Sequence, residues 1–417
     1  MLKKIKNLDS FGKNILLMFA GASLLNCFNL LYQLLIAHQL NPADFAAFNS
    51  LLAVFMLISV PLTTLQTSLA KFIADYKAHN QEEKIDLLLT GLIKKIVPFA
   101  LATFVIFYFL SVPLFDKLKI YSIPSMFILM GMVALAWLMP ISLGALQGME
   151  KFHWYSYVSV FSGIIKLGLT FLFIALGYNI AGALGGNLIS ISAIVLLSYI
   201  PLKSYLFRNR TGESIHFKDF FLYLFPVALS LFIFTVLTIS DMIMVKYFFS
   251  PEKAGAYSLA QMIGKICLFL PATISIVMFP RTSSLHTKNI DTVPTFKRSI
   301  FYTAYLCAAA TIVYNLFPAF ILKVLTGKAL PESIVLGRLF TVSMSFFALL
   351  NLLISYFLSK KEFGFIKYLV IFAILQLGEI ALFHGNLLQI QLILCINSIM
   401  LFMIHLRIFY KTIHEKR

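Results

Sequence analysis

Twelve apolar stretches, each about the length a helix needs to cross a bilayer, follow one another along almost the whole chain. They fall at 14–37, 45–70, 92–112, 124–146, 155–177, 180–201, 220–249, 254–280, 298–320, 333–358, 364–384 and 387–409. A crossing helix takes about 20 residues. Charge is confined to the gaps between stretches. With 60% hydrophobic and 12% charged residues, the chain cannot cover a water-soluble surface. The pattern predicts an all-α integral membrane protein with twelve transmembrane helices. The 220–249 stretch exceeds one perpendicular crossing, so its helix tilts or projects from the lipid.

Lysine and arginine set the orientation. With the N-terminus inside, 25 of the 34 fall on inner segments and 7 on outer ends, while two, Lys166 and Lys265, lie inside spans. This asymmetry predicts cytoplasmic N and C termini. It also accounts for the net charge of +17. The excess forms a collar against anionic headgroups, and no nucleic-acid partner is expected. Cys27, Cys267, Cys307 and Cys395 all lie within spans and read as small buried residues, with no metal site or disulfide frame expected. Met1–Lys13 reads as a basic lead into the first span, not a cleavable leader.

The chain repeats itself at an offset of about 210 residues. Asn41-Pro42-Ala43-Asp44-Phe45-Ala46-Ala47-Phe48 follows the first span, and Ser250-Pro251-Glu252-Lys253-Ala254-Gly255-Ala256-Tyr257 follows the seventh. Pro61 matches Pro271, Phe152 and Tyr157 match Phe363 and Tyr368, and Leu167-Gly168 matches Leu377-Gly378. Six spans per half insert both halves the same way up, the parallel-repeat arrangement. The expected domains are a six-helix bundle at 1–201, a cytoplasmic linker at 202–219 and a second six-helix bundle at 220–417. Two such bundles facing a cleft would work by alternating access.

The turn at 40–48, the run Gly144-Ala145-Leu146-Gln147-Gly148-Met149-Glu150-Lys151-Phe152, and the segment from Asp241-Met242-Ile243 to Ala256-Tyr257-Ser258 carry a family likeness. Over nearly its whole length the chain resembles the polysaccharide transporters, the Wzx-type oligosaccharide flippases of the multidrug/oligosaccharidyl-lipid/polysaccharide (MOP) exporter superfamily. The resemblance implies a MATE/MOP-like fold. It also implies flipping of a polyprenyl-diphosphate-linked glycan across the bacterial inner membrane for O-antigen, capsule or exopolysaccharide assembly. Ala46 departs from the family's usual glycine, a change that a helix start tolerates. There is no room for the two additional spans of the lipid II branch.

Charges at depth carry the candidate chemistry. Lys166 lies twelve residues from Trp154 and twelve from Tyr178, near the bilayer centre. A cation there costs roughly 2.5–3.5 kcal/mol, so it should face a partner or a wet cavity. Lys166 and Lys265 are candidate anchors for a diphosphate or acidic sugar; a structural ion pair is the alternative for each, with Asp241 the candidate partner of Lys265. Asp241 and Glu379 are the acids well inside spans and are candidates for coupling transport to proton exchange. Lys246 is a local partner for Asp241, and His384 is a candidate partner for Glu379. Asn26, Asn29 and Gln33 share one helix face, and Gln66 adds to them from the second span. Asn29, Gln33 and Gln66 are candidates for binding sugar hydroxyls, with interhelical packing as the alternative. Gly182-Ala183-Leu184-Gly185-Gly186 reads as a close-packing surface, because the Lys-Ser/Thr of a phosphate loop does not follow it.

Three functions compete. The first is the flippase. With no nucleotide site or other cofactor, its energy would come from H+ or Na+, from the membrane gradient, or from downstream glycan consumption. Its partners would be the lipid-linked glycan, membrane lipids and a glycan polymerase. The second is a cation-coupled multidrug exporter of the same superfamily, whose cleft should expose acids rather than lysines. The third, a membrane glycan polymerase or ligase, needs a large outer loop with an acid/base or nucleophile set. The longest outer loops, near 113–123 and 321–332, hold none.

Overall fold

The structure, a computed structural model, describes residues 10–206 and 217–414. The centre of the linker expected at 202–219, and the chain ends on which cytoplasmic termini were predicted, lie outside the described residues. Within the described residues all regular structure is helical. Lipid offers no hydrogen bonds, and a helix satisfies its own backbone along its length.

The helices are α1 (Ser10–Gln39), α2 (Pro42–Ala78), α3 (Glu82–Lys117), α4 (Ile123–Ala136), α5 (Met139–Gly148), α6 (Phe152–Ala175), α7 (Asn179–Tyr199) and the short α8 (Lys203–Leu206). They continue as α9 (Phe217–Phe248), α10 (Pro251–Phe269), α11 (Ala272–Thr287), α12 (Val293–Leu316), α13 (Pro318–Thr326), α14 (Pro331–Ser359), α15 (Ile366–Leu382) and α16 (Leu387–His414). Among the described residues, ten helical segments are long and apolar enough to cross a membrane. The predicted spans 14–37 and 364–384 fall on α1 and on the 17-residue α15, outside that set of ten. The outer segment expected as a loop near 321–332 is in part the helix α13.

Two predicted spans are broken. The 124–146 span divides into α4 and α5, and the 254–280 span divides into α10 and α11. Pro140 and Pro271 stand at these breaks, where a missing N–H and a bulky ring interrupt the ladder. Pro98 and Pro226 lie inside continuous helices instead. At the first break the Leu138 carbonyl accepts a hydrogen bond from the Tyr199 hydroxyl at 3.4 Å. Helix starts recur along the chain: Pro42 and Pro251 are 209 residues apart, and Asn179 and Leu387 are 208 apart.

The described residues of Met1–Gln39 and Val54–Ala228 pack as one unit, and those of Leu40–Ala53 and Leu229–Arg417 pack as another. In the first, α6 lies against α1 and α7, and α4 lies against α3 and α7. In the second, α14 is central and packs on α10, α11, α12 and α16 through buried Phe340, Met344 and Phe347.

The residues that carry the family likeness sit where backbones nearly touch. A Cβ on Gly144 would lie 2.7 Å from the Gln66 carbonyl oxygen, and one on Gly148 would lie 2.6 Å from that of Ala70. The next turn is tied down by Lys77, whose ammonium pairs with Glu150 and donates to the Met149 carbonyl, both at 2.9 Å. Lys151 donates to the Pro201 carbonyl at 2.8 Å; burial, and then the nearby Lys77, lower its amine from the ordinary lysine value. Within the second unit, a Cβ on Gly255 would lie 2.7 Å from the Pro42 backbone. Ala46, which holds the matching place in the first repeat, is fully buried without that constraint.

Candidate functional site

Lys166 stands on α6, which closely placed glycines let its neighbours approach from two sides. A Cβ on Gly163 would lie 2.9 Å from the Phe28 ring of α1. A Cβ on Gly186 of α7 would lie 3.0 Å from the Lys166 carbonyl, and one on Gly182 would lie 2.9 Å from Phe173. The Gly182–Gly186 run is therefore a close-packing surface. These approaches bring α1 side chains to the lysine. Its ammonium donates to Asn29 Oδ1 at 2.7 Å and lies 4.3 Å from the centroid of the Tyr32 ring. The ring face attracts the cation. Tyr32 is buried, and its hydroxyl donates to the Ala183 carbonyl of α7 at 2.8 Å, which holds the ring in place.

Lys166 is half-buried. Among the described residues no carboxylate lies within 4.0 Å of its ammonium, so the structural ion pair weighed above is not formed. Neutral groups hold the charge and leave it uncompensated. Gln33, one turn beyond Asn29, is half-buried and makes no side-chain hydrogen bond among the described residues. Asn26 is exposed. Gln66 is occupied elsewhere in the first unit, donating to Gln147 Oε1 and the Tyr155 hydroxyl, both at 3.4 Å.

Lys265 belongs to the second unit, on α10. Tyr257, Gln261 and Lys265 are four residues apart in turn and share a face. Asp241 of α9 meets that face. It is fully buried and accepts the Tyr257 hydroxyl at 2.8 Å and Gln261 Nε2 at 2.9 and 3.1 Å. Lys265 is half-buried and acts on Asp241 electrostatically. The two make no ion pair within 4.0 Å, because neutral donors already occupy the carboxylate. The network continues: the Tyr257 hydroxyl oxygen lies 3.5 Å from Gln391 Oε1, and Gln391 donates to Ser343 at 2.9 Å. Sequence reasoning missed Gln261, Gln391 and Ser343 as members, and quoted Tyr257 only as part of a turn. The helical spacing of Tyr257, Gln261 and Lys265 in an otherwise apolar span was the available signal.

Glu379 does not pair with His384. Its Oε2 accepts from Asn397 Nδ2 of α16 at 2.6 Å. His384 stacks on Phe248 with ring centroids 3.9 Å apart, and its Nδ1 has no hydrogen-bond partner among the described residues. Among the described residues no three His, Cys, Asp or Glu side chains gather to hold a metal.

Residues 11–286 match the family described as polysaccharide biosynthesis protein. No curated protein matches the chain by sequence. Solved structures do match. A multidrug resistance MATE family transporter of the MOP superfamily, inward-facing, is 14% identical with a TM-score of 0.72, over 94% of this chain and 96% of that one. The lipid II flippase MurJ, in an inward closed conformation, is 16% identical with a TM-score of 0.71, over 95% of this chain and 87% of that one. A MOP superfamily transporter from Pyrococcus furiosus, with a binding pocket of reverse polarity, is 15% identical with a TM-score of 0.67, over 94% and 93%. The fold is thus the helical membrane fold that MATE transporters and MurJ share.

Proposed function

This chain belongs to the polysaccharide biosynthesis protein family, and on that footing we propose that it is a flippase. It moves a polyprenyl-diphosphate-linked oligosaccharide across the bacterial inner membrane by alternating access, for O-antigen, capsule or exopolysaccharide assembly. It does so as two like-oriented six-helix bundles, 1–201 and 220–417, with twelve crossings and both termini cytoplasmic. One observation carries the reading: the Lys166 ammonium is held by Asn29 and Tyr32, and among the described residues no carboxylate lies within 4.0 Å to neutralise it. Such a cation binds a diphosphate or acidic sugar strongly, since hydrogen bonds between charged partners are worth about twice neutral ones. Gln33, without a side-chain hydrogen bond among the described residues, stands one turn away to bind hydroxyls. A lipid II flippase of the same fold supports a lipid-linked cargo. Asp241 and Glu379 are the groups that would exchange H+ or Na+ during the cycle.

Lys166→Ala should abolish surface glycan in a strain dependent on this chain while the membrane content of the protein stays unchanged. Normal glycan in that variant removes Lys166 from the mechanism. The MATE neighbours support the second reading, a cation-coupled multidrug exporter. An efflux-deficient host expressing the chain separates the two: resistance to cationic drugs would favour the exporter.

A further inference from the structure

A groove in the first unit has a lining that does not include Lys166 or its partners. It has a volume of about 720 Å³ and is formed by α3, the break between α4 and α5, and the end of α7. Its walls are apolar at Val97, Leu138, Leu196 and Ile200, its charged lining residues are Lys94 and Lys203, and among the described residues no acidic side chain lines it. A groove of this size lies within the range of about 300–1,000 Å³ that holds small ligands.

Depth places the two amines at one level. After Lys95, α3 runs for 20 residues, Ile96–Phe115, without a charge, a length that rises about 30 Å and matches the hydrocarbon thickness. The stretch 179–202 is likewise uncharged up to Lys203. Lys94 and Lys203 therefore stand at the same boundary of the apolar layer, the inner one in the orientation that the lysine count predicts. Both side chains are exposed. Leu196 and Ile200 are 71% and 55% exposed along the groove, so apolar surface continues from the amines towards the lipid. An amphiphile with a negative head and a hydrocarbon chain matches both halves of this surface. Basic pockets between transmembrane helices on the cytoplasmic side recognise anionic lipid headgroups in this way.

We propose that the groove is a binding site for an anionic phospholipid of the inner leaflet, its phosphate against Lys94 and Lys203 and one acyl chain along Val97, Leu196 and Ile200. The site is separate from Lys166 and its occupant is not cargo.

Native mass spectrometry of the purified full-length protein, titrated with phosphatidylglycerol, phosphatidylcholine of the same chains, or inorganic phosphate, tests this. Phosphatidylglycerol should bind in preference to phosphatidylcholine, and Lys94→Gln/Lys203→Gln should weaken it about 30-fold. Leu196→Trp fills the groove at an exposed position and keeps both lysines, so it should also lose the adduct. Equal binding of the two lipids, or unchanged binding in the double variant, overturns the proposal. So does inorganic phosphate binding as tightly as the lipid, which would assign the lysines to a free anion. Retained lipid binding in Leu196→Trp would reduce the contact to headgroup adsorption and overturn it equally. Thermal melts of each variant confirm that the fold is kept.

Discussion

Asn29 holds Lys166 with an amide oxygen rather than a carboxylate, and the difference decides what the lysine can do. A carboxylate at the same place would compensate the cation within the chain; the amide orients it without neutralising it, as the proposed anion site requires. Asn29→Asp, nearly isosteric, should therefore lower glycan export about ten-fold or more, the scale of one charged hydrogen bond. The melting temperature in detergent should hold or rise. Export equal to the parent's would show that an uncompensated amine is not used. Asp241 presents the opposite case. Its carboxylate is fully buried and occupied by Tyr257 and Gln261. Tyr257→Phe removes one donor from a buried charge and should destabilise the fold by about 1–3 kcal/mol, read as a lower melting temperature. Lys166 stood out as a candidate because a cation inside an apolar span is rare. Its partners were half legible: the 26, 29 and 33 spacing marked a polar face without naming which member reaches another helix. The partners of Glu379 and Gln66 were not legible. Asn397 is 18 residues from Glu379, and Gln147 and Tyr155 are 81 and 89 from Gln66, while local spacing sees one or two turns.

Between helices, contact is set by which glycines have no room for a side chain. In a bilayer, helices associate through close backbone packing more than through hydrophobic exclusion. The α2–α5 crossing depends on Gly144 and Gly148, each facing a carbonyl oxygen. Gly144→Val or Gly148→Val should cost roughly 1–3 kcal/mol or more by overpacking, seen as loss of the monodisperse peak in fluorescence-detected gel filtration. A Cβ on Gly168 would meet nothing within 4 Å, so Gly168→Ala should leave the same profile unchanged. The three positions look alike in sequence, since all three glycines lie in apolar helices. The proline pattern taught a similar lesson. Pro98, Pro140, Pro226 and Pro271 all fall within predicted spans, yet the ladder parts at Pro140 and Pro271 and runs on through Pro98 and Pro226. Whether a proline bends or breaks a helix depends on what neighbouring helices offer the released groups, and that information is tertiary.

For the molecule as a whole, the sequence pattern was most informative about the all-helical membrane class, because the bilayer allows so few alternatives. Hydropathy length and the lysine count both follow from that restriction. Orientation can be checked directly. Alkaline phosphatase inserted after Lys119 or Lys328 should be active, and after Glu150 or Lys361 inactive; the reverse pattern would turn the protein over in the membrane.

Asn49 and Ser258 lie 209 residues apart, at matching positions of the two repeats, and the Asn49 amide donates to the Ser258 hydroxyl at 3.0 Å within the second unit. A position that touches its own counterpart is the mark of an isologous, self-complementary contact. A chain carrying only one copy of this helix set would meet a second copy of itself through that same face.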